Sequence, residues 1–139
     1  MSIGAHHRIR GYDIDTEAIY RGAFVVTVLA VPLAAVAGRA LSDGSGWQVV
    51  VTIAIFAAFA AGGAVSGHMR PETPALHGAL ASLPCLIVLA AVRAVLAFAG
   101  DADFDPIVVL AMFASGTTLG LIGGVAASRL GDRTRSVLH

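Results

Sequence analysis

Charged residues are scarce in this chain, and several polar residue types are nearly or wholly absent. Only 13% of its 139 residues are charged, whereas 57% are hydrophobic, which is too little polar surface for a water-soluble fold. Lys and Asn do not occur, so every basic side chain is Arg, as a GC-rich coding bias would produce. Cys85 is the single cysteine, which excludes an intrachain disulfide. We expect it to be a buried packing residue with a protonated thiol.

Four long apolar segments account for most of the chain. Each has at least the ~20 residues that a helix needs to cross ~30 Å of hydrocarbon. Backbone amides have no water to bond within lipid, so each crossing should be helical. We therefore predict an all-α polytopic membrane protein, a single four-helix domain with short cytoplasmic tails at 1–17 and 129–139. The predicted spans are 18–41, 47–68, 74–99 and 105–128.

The first apolar segment is interpreted as a retained span and not as a cleaved signal peptide. It is too long for a signal peptide, and acidic residues precede it where a basic leader is expected. Those residues are Asp13, Asp15 and Glu17.

Arginines are distributed unequally between the two sides that these spans define. Arginine near span ends favours the cytoplasmic side, so both termini are predicted to be cytoplasmic. The opposite side has only Arg39 and Arg93, and its loops contain Asp43, Asp101, Asp103 and Asp105. The seven arginines of the cytoplasmic side are Arg8, Arg10, Arg21, Arg70, Arg129, Arg133 and Arg135.

Two dipeptides mark the beginnings of the third and fourth helices. Thr73-Pro74 and Asp105-Pro106 each place a capping residue before a proline at the first helical position. The segments 20–23 and 76–79 also have similar patterns, as do 62–68 and 123–129. This similarity indicates a possible repeat of two helical hairpins, related by an axis along the membrane normal.

Small residues recur at every fourth position on the fourth helix and, more briefly, on the second. Lipid tails are as apolar as leucine, so helices associate in lipid by close packing, which small residues permit. The stripe has two interpretations: it holds this bundle together, or it makes the fourth helix a docking face for another protein. Its residues are Gly116, Gly120, Gly124 and Ser128, with Gly63 and Gly67 on the second helix.

Arg93 is the charge placed deepest within a predicted span, about 10 Å inside its end at 1.5 Å per residue. A buried arginine is costly unless it reaches the interface or finds a partner. Asp43, Asp101, Asp103 or a carboxylate of another subunit would supply one. The alternative is a functional role, such as lining an anion path. Arg39 lies nearer its helix end and is expected to be structural.

The polar residues at the second-to-third turn form the densest cytoplasmic group: His68, Arg70, Glu72 and His77. They predict an interfacial loop or, alternatively, a contact patch for a soluble partner or lipid headgroups. We expect no metal there, because no zinc-ligand spacing occurs.

Asp101, Asp103 and Asp105 predict a solvated acidic loop, since three acids in a short loop cannot complete the six oxygen ligands of Ca²⁺. No nucleotide-binding or catalytic motif is visible, so we expect neither an enzyme nor a cofactor.

The Gly62-Gly63-x-x-x-Gly67 pattern, a short basic turn and then His77-Gly78-Ala79 resemble a class of small bacterial four-helix membrane proteins of unknown function. The resemblance covers mainly residues 60–80 and implies a four-span fold without assigning any activity or site residue. The resemblance also implies a bacterial plasma membrane. Some small multi-span proteins of high-GC bacteria serve as accessory subunits of larger transporters, including lipid importers of the mammalian-cell-entry (Mce) type, and they are an example that no residue of this chain identifies.

We therefore predict a non-enzymatic accessory subunit that packs against a larger membrane complex through its fourth helix. Homo-oligomers are an option, and nucleic acid is not an expected partner. The alternative is a small oligomeric transporter or channel. Four-helix drug exporters are similar in size, but they need a membrane-embedded carboxylate. No Asp or Glu lies in the interior of a predicted span, since Asp105 only begins the fourth one. A scaffold that binds anionic headgroups through its arginine-rich ends is the third option.

Overall fold

The computed structural model contains four long helices preceded by a short β-hairpin. It describes residues 6–9, 12–40, 46–100 and 105–137, with side chains described at 14–36, 46–100 and 105–131. The elements are β1 (His6–Ile9), β2 (Tyr12–Asp15), α1 (Thr16–Ala40), α2 (Gly46–Met69), α3 (Pro74–Phe98) and α4 (Pro106–Val137).

All four helices are long and apolar enough to cross a membrane, which indicates a multi-pass membrane protein. The apolar segments that qualify are Thr16–Val36, Gly46–Met69, Pro74–Phe98 and Pro106–Gly131. The structure therefore confirms the part of the all-α prediction that concerns four apolar helices packed together. The first three helices begin and end within two residues of the predicted spans.

Two boundaries differ from the prediction. The predicted N-terminal tail contains the antiparallel pair β1 and β2, in which Ile9 pairs with Tyr12 and His6 with Asp15. At the other end, α4 continues to Val137 through residues that were predicted to form a tail. Hydropathy marks where the apolar residues of a helix stop. Arginine and serine can continue the same helix into water. The hydropathy pattern therefore located the span of α4 but missed the end of the helix.

The helices do not pack equally on one another. Both α2 and α3 pack against the other three helices, whereas α1 and α4 make no extensive contact with each other. An exact two-fold repeat of hairpins would require α1 to meet α4 as α2 meets α3, so this packing departs from that symmetry. The core contains Val26 from α1, Phe59 from α2, and Cys85 and Leu86 from α3. Cys85 is fully buried, as predicted.

Glycines allow α4 to approach α2 and α3 at backbone distance. A β-carbon on Gly63 or on Gly78 would overlap the carbonyl oxygen of Gly120. Likewise, a β-carbon on Gly120 would overlap the Ser82 hydroxyl and the Gly78 carbonyl. Gly120 therefore lies at the junction of three helices, where no side chain fits.

The neighbouring small residues of α4 continue this contact. A β-carbon on Gly67 would lie 2.5 Å from the Cα of Gly124, and one on Gly116 would lie 2.8 Å from Leu86. Ser128, at the end of the stripe, is half-buried and donates a 2.9 Å hydrogen bond to the carbonyl of Val125 in its own helix. The three glycines of the stripe are buried within the bundle, so a protein that docks on α4 would have to use the opposite face.

Candidate functional site

Polar side chains meet at the end of the bundle where α1 begins and where α2 turns into α3. We call them the polar cluster, and its members are Asp15, Ser66, Arg70, Thr73 and His77. They come from three separate stretches of sequence. Gly131 of α4 lies at the same end of the bundle, since a β-carbon there would lie 3.5 Å from the His68 ring.

Asp15 holds the N-terminus of α1 and pairs with the turn between α2 and α3. Its Oδ1 accepts hydrogen bonds from the backbone N–H of Glu17 at 2.9 Å and of Ala18 at 3.3 Å, which is the geometry of a helix N-cap. Its Oδ2 accepts from Arg70, with Nε at 2.7 Å and Nη2 at 2.6 Å.

These hydrogen bonds stabilise the ionised form of the Asp15 carboxyl. Burial by itself would raise the pKa of this group, but the hydrogen bonds from Arg70 and from the two backbone amides outweigh it, so the pKa lies below its ordinary value. Asp15 therefore remains a carboxylate, and its charge is matched by the guanidinium of Arg70.

His77 is fully buried, and both of its ring nitrogens are engaged. Nε2 accepts the backbone N–H of Asp15 at 3.1 Å, so this nitrogen carries no proton. The ring proton is therefore assigned to Nδ1, which lies 2.9 Å from the Thr73 hydroxyl and 3.1 Å from the Thr73 carbonyl. The imidazole thus links the start of α1 to the start of α3.

Thr73 occupies the predicted N-cap position of α3, and proline follows it as expected. Its hydroxyl, however, makes no capping hydrogen bond and faces His77 instead. The Thr73 hydroxyl bonds to the imidazole instead of a backbone N–H because His77 lies one helical turn further on the same side of α3. The second predicted cap is confirmed, since Asp105 Oδ1 accepts the N–H of Ile107 at 2.8 Å.

The polar cluster contains the residue types of a serine hydrolase triad but not the connections of one. Ser66 Oγ donates to the main-chain carbonyl of His77 at 3.1 Å and not to its ring. The Asp15 carboxylate bonds to Arg70, and only its backbone N–H reaches the imidazole. A nucleophile needs a base within hydrogen-bond reach of its hydroxyl. This arrangement instead joins α1, α2 and α3.

Sequence reasoning identified part of this cluster. The structure brings together Arg70 and His77 of the predicted group, whereas His68 and Glu72 are exposed. Asp15 and Ser66 were missed. The available signal for Asp15 was its place immediately before Thr16-Glu17, an acidic residue at the start of an apolar helix, which is typical of an N-cap.

Most hydroxyls within the helices bond to their own backbone. They donate to the carbonyl three or four residues earlier, which is how Ser and Thr satisfy a hydroxyl without water. Residues with this pattern are Thr27, Thr52, Ser82, Ser115, Thr117 and Thr118.

A second candidate site lies at the other end of the bundle, where all four helices line a cavity of about 280 Å³. We call it the Arg93 cavity. Its walls are almost wholly apolar, and Arg93 supplies the charge. Most of its lining residues belong to α2 and α3, and α1 and α4 supply the others. Beside Arg93, its lining residues include Ala34, Ile55, Phe59, Leu89, Met112 and Gly116.

The Nε atom of Arg93 is buried and has no hydrogen-bond partner. Two salt bridges occur among the described side chains, Arg70–Asp15 and Arg21–Glu17, and neither involves Arg93. Its predicted acidic partners, Asp43, Asp101 and Asp103, lie outside the residues that the structure describes.

Arg39 lies within α1, but its side chain is outside the described set. Over the part of the chain that the structure describes, no three His, Cys, Asp or Glu side chains come together as metal ligands. No protein-family model, curated protein or solved structure matches this chain.

Proposed function

We propose that this protein is a non-enzymatic subunit of a larger membrane complex, inserted with both termini in the cytoplasm. One observation supports this proposal most. Asp15, Arg70, His77 and Ser66, the polar groups best suited to chemistry, all form bonds that hold the helices together. What the bundle offers to its surroundings is mainly the apolar surface of its helices.

That outer surface is extensive and apolar on every helix. Large exposed side chains include Phe24 on α1, Ile53 on α2, Val88 on α3 and Leu110 on α4. Such surface suits lipid and the helices of another protein equally, because association in lipid depends on shape and not on hydrophobicity. The proposal also includes an approximate repeat of two hairpins, a bacterial plasma membrane and a transporter partner such as an Mce-type lipid importer.

The partner is expected on the outer face of α4. The buried glycines turn one face of this helix toward α2 and α3, which leaves the face of Ala114 and Thr118 exposed. These two small residues are four apart, so they lie on one side of the helix and allow another helix to come close.

Purification in mild detergent, followed by mass spectrometry, tests the proposal. A larger membrane protein should co-purify in a fixed ratio with the wild type, and Ala114→Leu should reduce that ratio. Ala57→Leu on α2 and Ala91→Leu on α3 add the same bulk at exposed positions elsewhere, so they serve as matched controls.

Recovery of the wild-type chain alone, or only as a homo-oligomer, would count against a larger complex. Loss of the partner with all three variants would show that α4 is not the specific docking face. Gly120→Leu is not a useful probe of docking, because Gly120 is buried and this variant would disrupt the bundle itself.

An anion channel or transporter is the second candidate function, and the unpartnered Nε of Arg93 favours it. Arginines in membrane helices commonly face a cavity or a substrate path. Chloride, phosphate and carboxylate flux into vesicles containing the protein would support this function if Arg93→Ala abolished it and Arg93→Lys retained part of it. Absence of flux for all three anions would remove this candidate.

A further inference from the structure

We infer that the Arg93 cavity binds one alkyl chain that carries an anionic head, either a carboxylate or a phosphate. The inference goes beyond the proposed subunit function, because residues of this chain alone line the site and no other protein is needed. A ligand of this cavity has to pair with its single charge and also contact its apolar walls.

The positive charge of Arg93 favours an anionic ligand. Arg93 lies in α3 five residues before Phe98, about 8 Å from the helix end at 1.5 Å per residue. Its Nε is shielded and lacks an acceptor, although a guanidinium in the membrane is stable only when it is paired or hydrated. Carboxylate and phosphate oxygens match the planar fork of arginine and can accept two of its N–H groups.

The apolar walls of the cavity favour a ligand with an alkyl chain. Leu89 and Leu96 mark the extent of the cavity along α3, seven residues apart or about 10 Å. Phe59 and Met112 line it from α2 and α4. A small hydrophilic anion would pair with Arg93 but leave these walls without contacts, while a neutral alkane would leave the guanidinium unpaired. An amphiphile satisfies both.

The size of the cavity limits the ligand to a single chain. Its volume of about 280 Å³ lies just below the range of ordinary ligand sites, which span roughly 300–1,000 Å³. A lipid with two acyl chains would therefore have to leave one chain outside. Phe56 of α2 and Val92 and Leu96 of α3 are exposed members of its lining, so the entrance is expected beside these two helices.

Equilibrium dialysis of the purified full-length protein in a nonionic detergent tests the inference. The probes are radiolabelled decanoate, decyl phosphate and decanol, which share a chain and differ in the head. The wild type should bind at least one of the two anions about ten- to hundredfold more tightly than decanol, as a charge-assisted hydrogen bond of ~1.5–3 kcal/mol provides.

Arg93→Gln should reduce anion binding to the level of decanol. Arg21→Gln is the matched control, because Arg21 is exposed and pairs with Glu17 at the other end of the bundle. Ala34→Phe should fill the cavity and weaken binding of all three probes, which shows that the chain lies inside. Preference for decanoate over decyl phosphate, or the reverse, identifies the head.

Equal binding of decanol and both anions by the wild type would overturn the inference, as would unchanged anion binding in Arg93→Gln. Far-UV circular dichroism checks that each variant is folded, and if Arg93→Gln is not, unchanged binding by Ala34→Phe would overturn the inference instead. These results are independent of the proposed subunit function, since the assay contains no other protein. Binding without vesicle flux would separate a ligand site from an anion path.

Discussion

Replacing Gly120 by alanine tests whether backbone contact between helices stabilises this bundle. A β-carbon at this position would overlap the Ser82 hydroxyl and the carbonyl oxygen of Gly78. The carbonyl belongs to the backbone of α3 and cannot turn away, so α3 and α4 have to separate to make room. The cost of such overpacking is typically ~1–3 kcal/mol.

Alanine also stabilises a helix by about 0.8–1.0 kcal/mol relative to glycine, which offsets part of that cost. We therefore expect Gly120→Ala to lower the free energy of unfolding by up to about 2 kcal/mol. The measurement is reversible unfolding in mixed micelles of increasing SDS fraction, followed by far-UV circular dichroism.

Gly131→Ala is the matched control on the same helix. The nearest atom to a β-carbon there is Cε1 of His68 at 3.5 Å, an ordinary contact, so only the helix-propensity gain remains. This variant should be more stable than the wild type by roughly 0.5–1 kcal/mol. If Gly120→Ala were as stable as Gly131→Ala, the inferred three-helix contact at Gly120 would be refuted.

Three further predictions concern the polar cluster, the α4 cap and the core. Because the pKa of Asp15 is lower in the folded protein than its ordinary 3.8, its stabilisation is present above pH ~4–5 and is lost as the pH falls through the folded value. Asp15→Asn should remove this acid sensitivity in pH-dependent unfolding, and an unchanged profile would contradict the Asp15–Arg70 pairing. Asp105→Ala should lower stability by ~1 kcal/mol through loss of the α4 cap, and a neutral effect in SDS unfolding would argue against the cap. Cys85, fully buried, should react with a maleimide only after unfolding in SDS, and rapid labelling of the folded protein would place it outside the core.

The location of the helices follows from the solvent in which they lie. A chain that crosses hydrocarbon must bond its backbone internally and present apolar side chains, so hydropathy alone located the first three helices within two residues. The same criterion gave the beginning of α4 correctly and missed its polar end, because hydropathy does not report on helices in water. The β-hairpin at 6–15 carried no hydropathy signal either.

The sequence also predicted the roles of residues whose surroundings are set by their own helix. Asp105 was predicted as a cap because its partner is the N–H two residues later. Arg93 was predicted as a costly charge because depth within a span can be counted from the sequence. Neither prediction required knowledge of another helix.

The sequence by itself therefore determined that the helices are suited to a membrane, how many spans there are and which charged residues lie within them. Only the tertiary structure decided which of them meet. Asp15 is 55 residues from Arg70 and 62 from His77, and no periodicity connects positions so far apart. The same holds for the stripe of α4, since spacing shows that Gly116, Gly120 and Gly124 share a face but not which helix that face contacts. Packing in three dimensions turned it inward and brought residues of all four helices together around the Arg93 cavity.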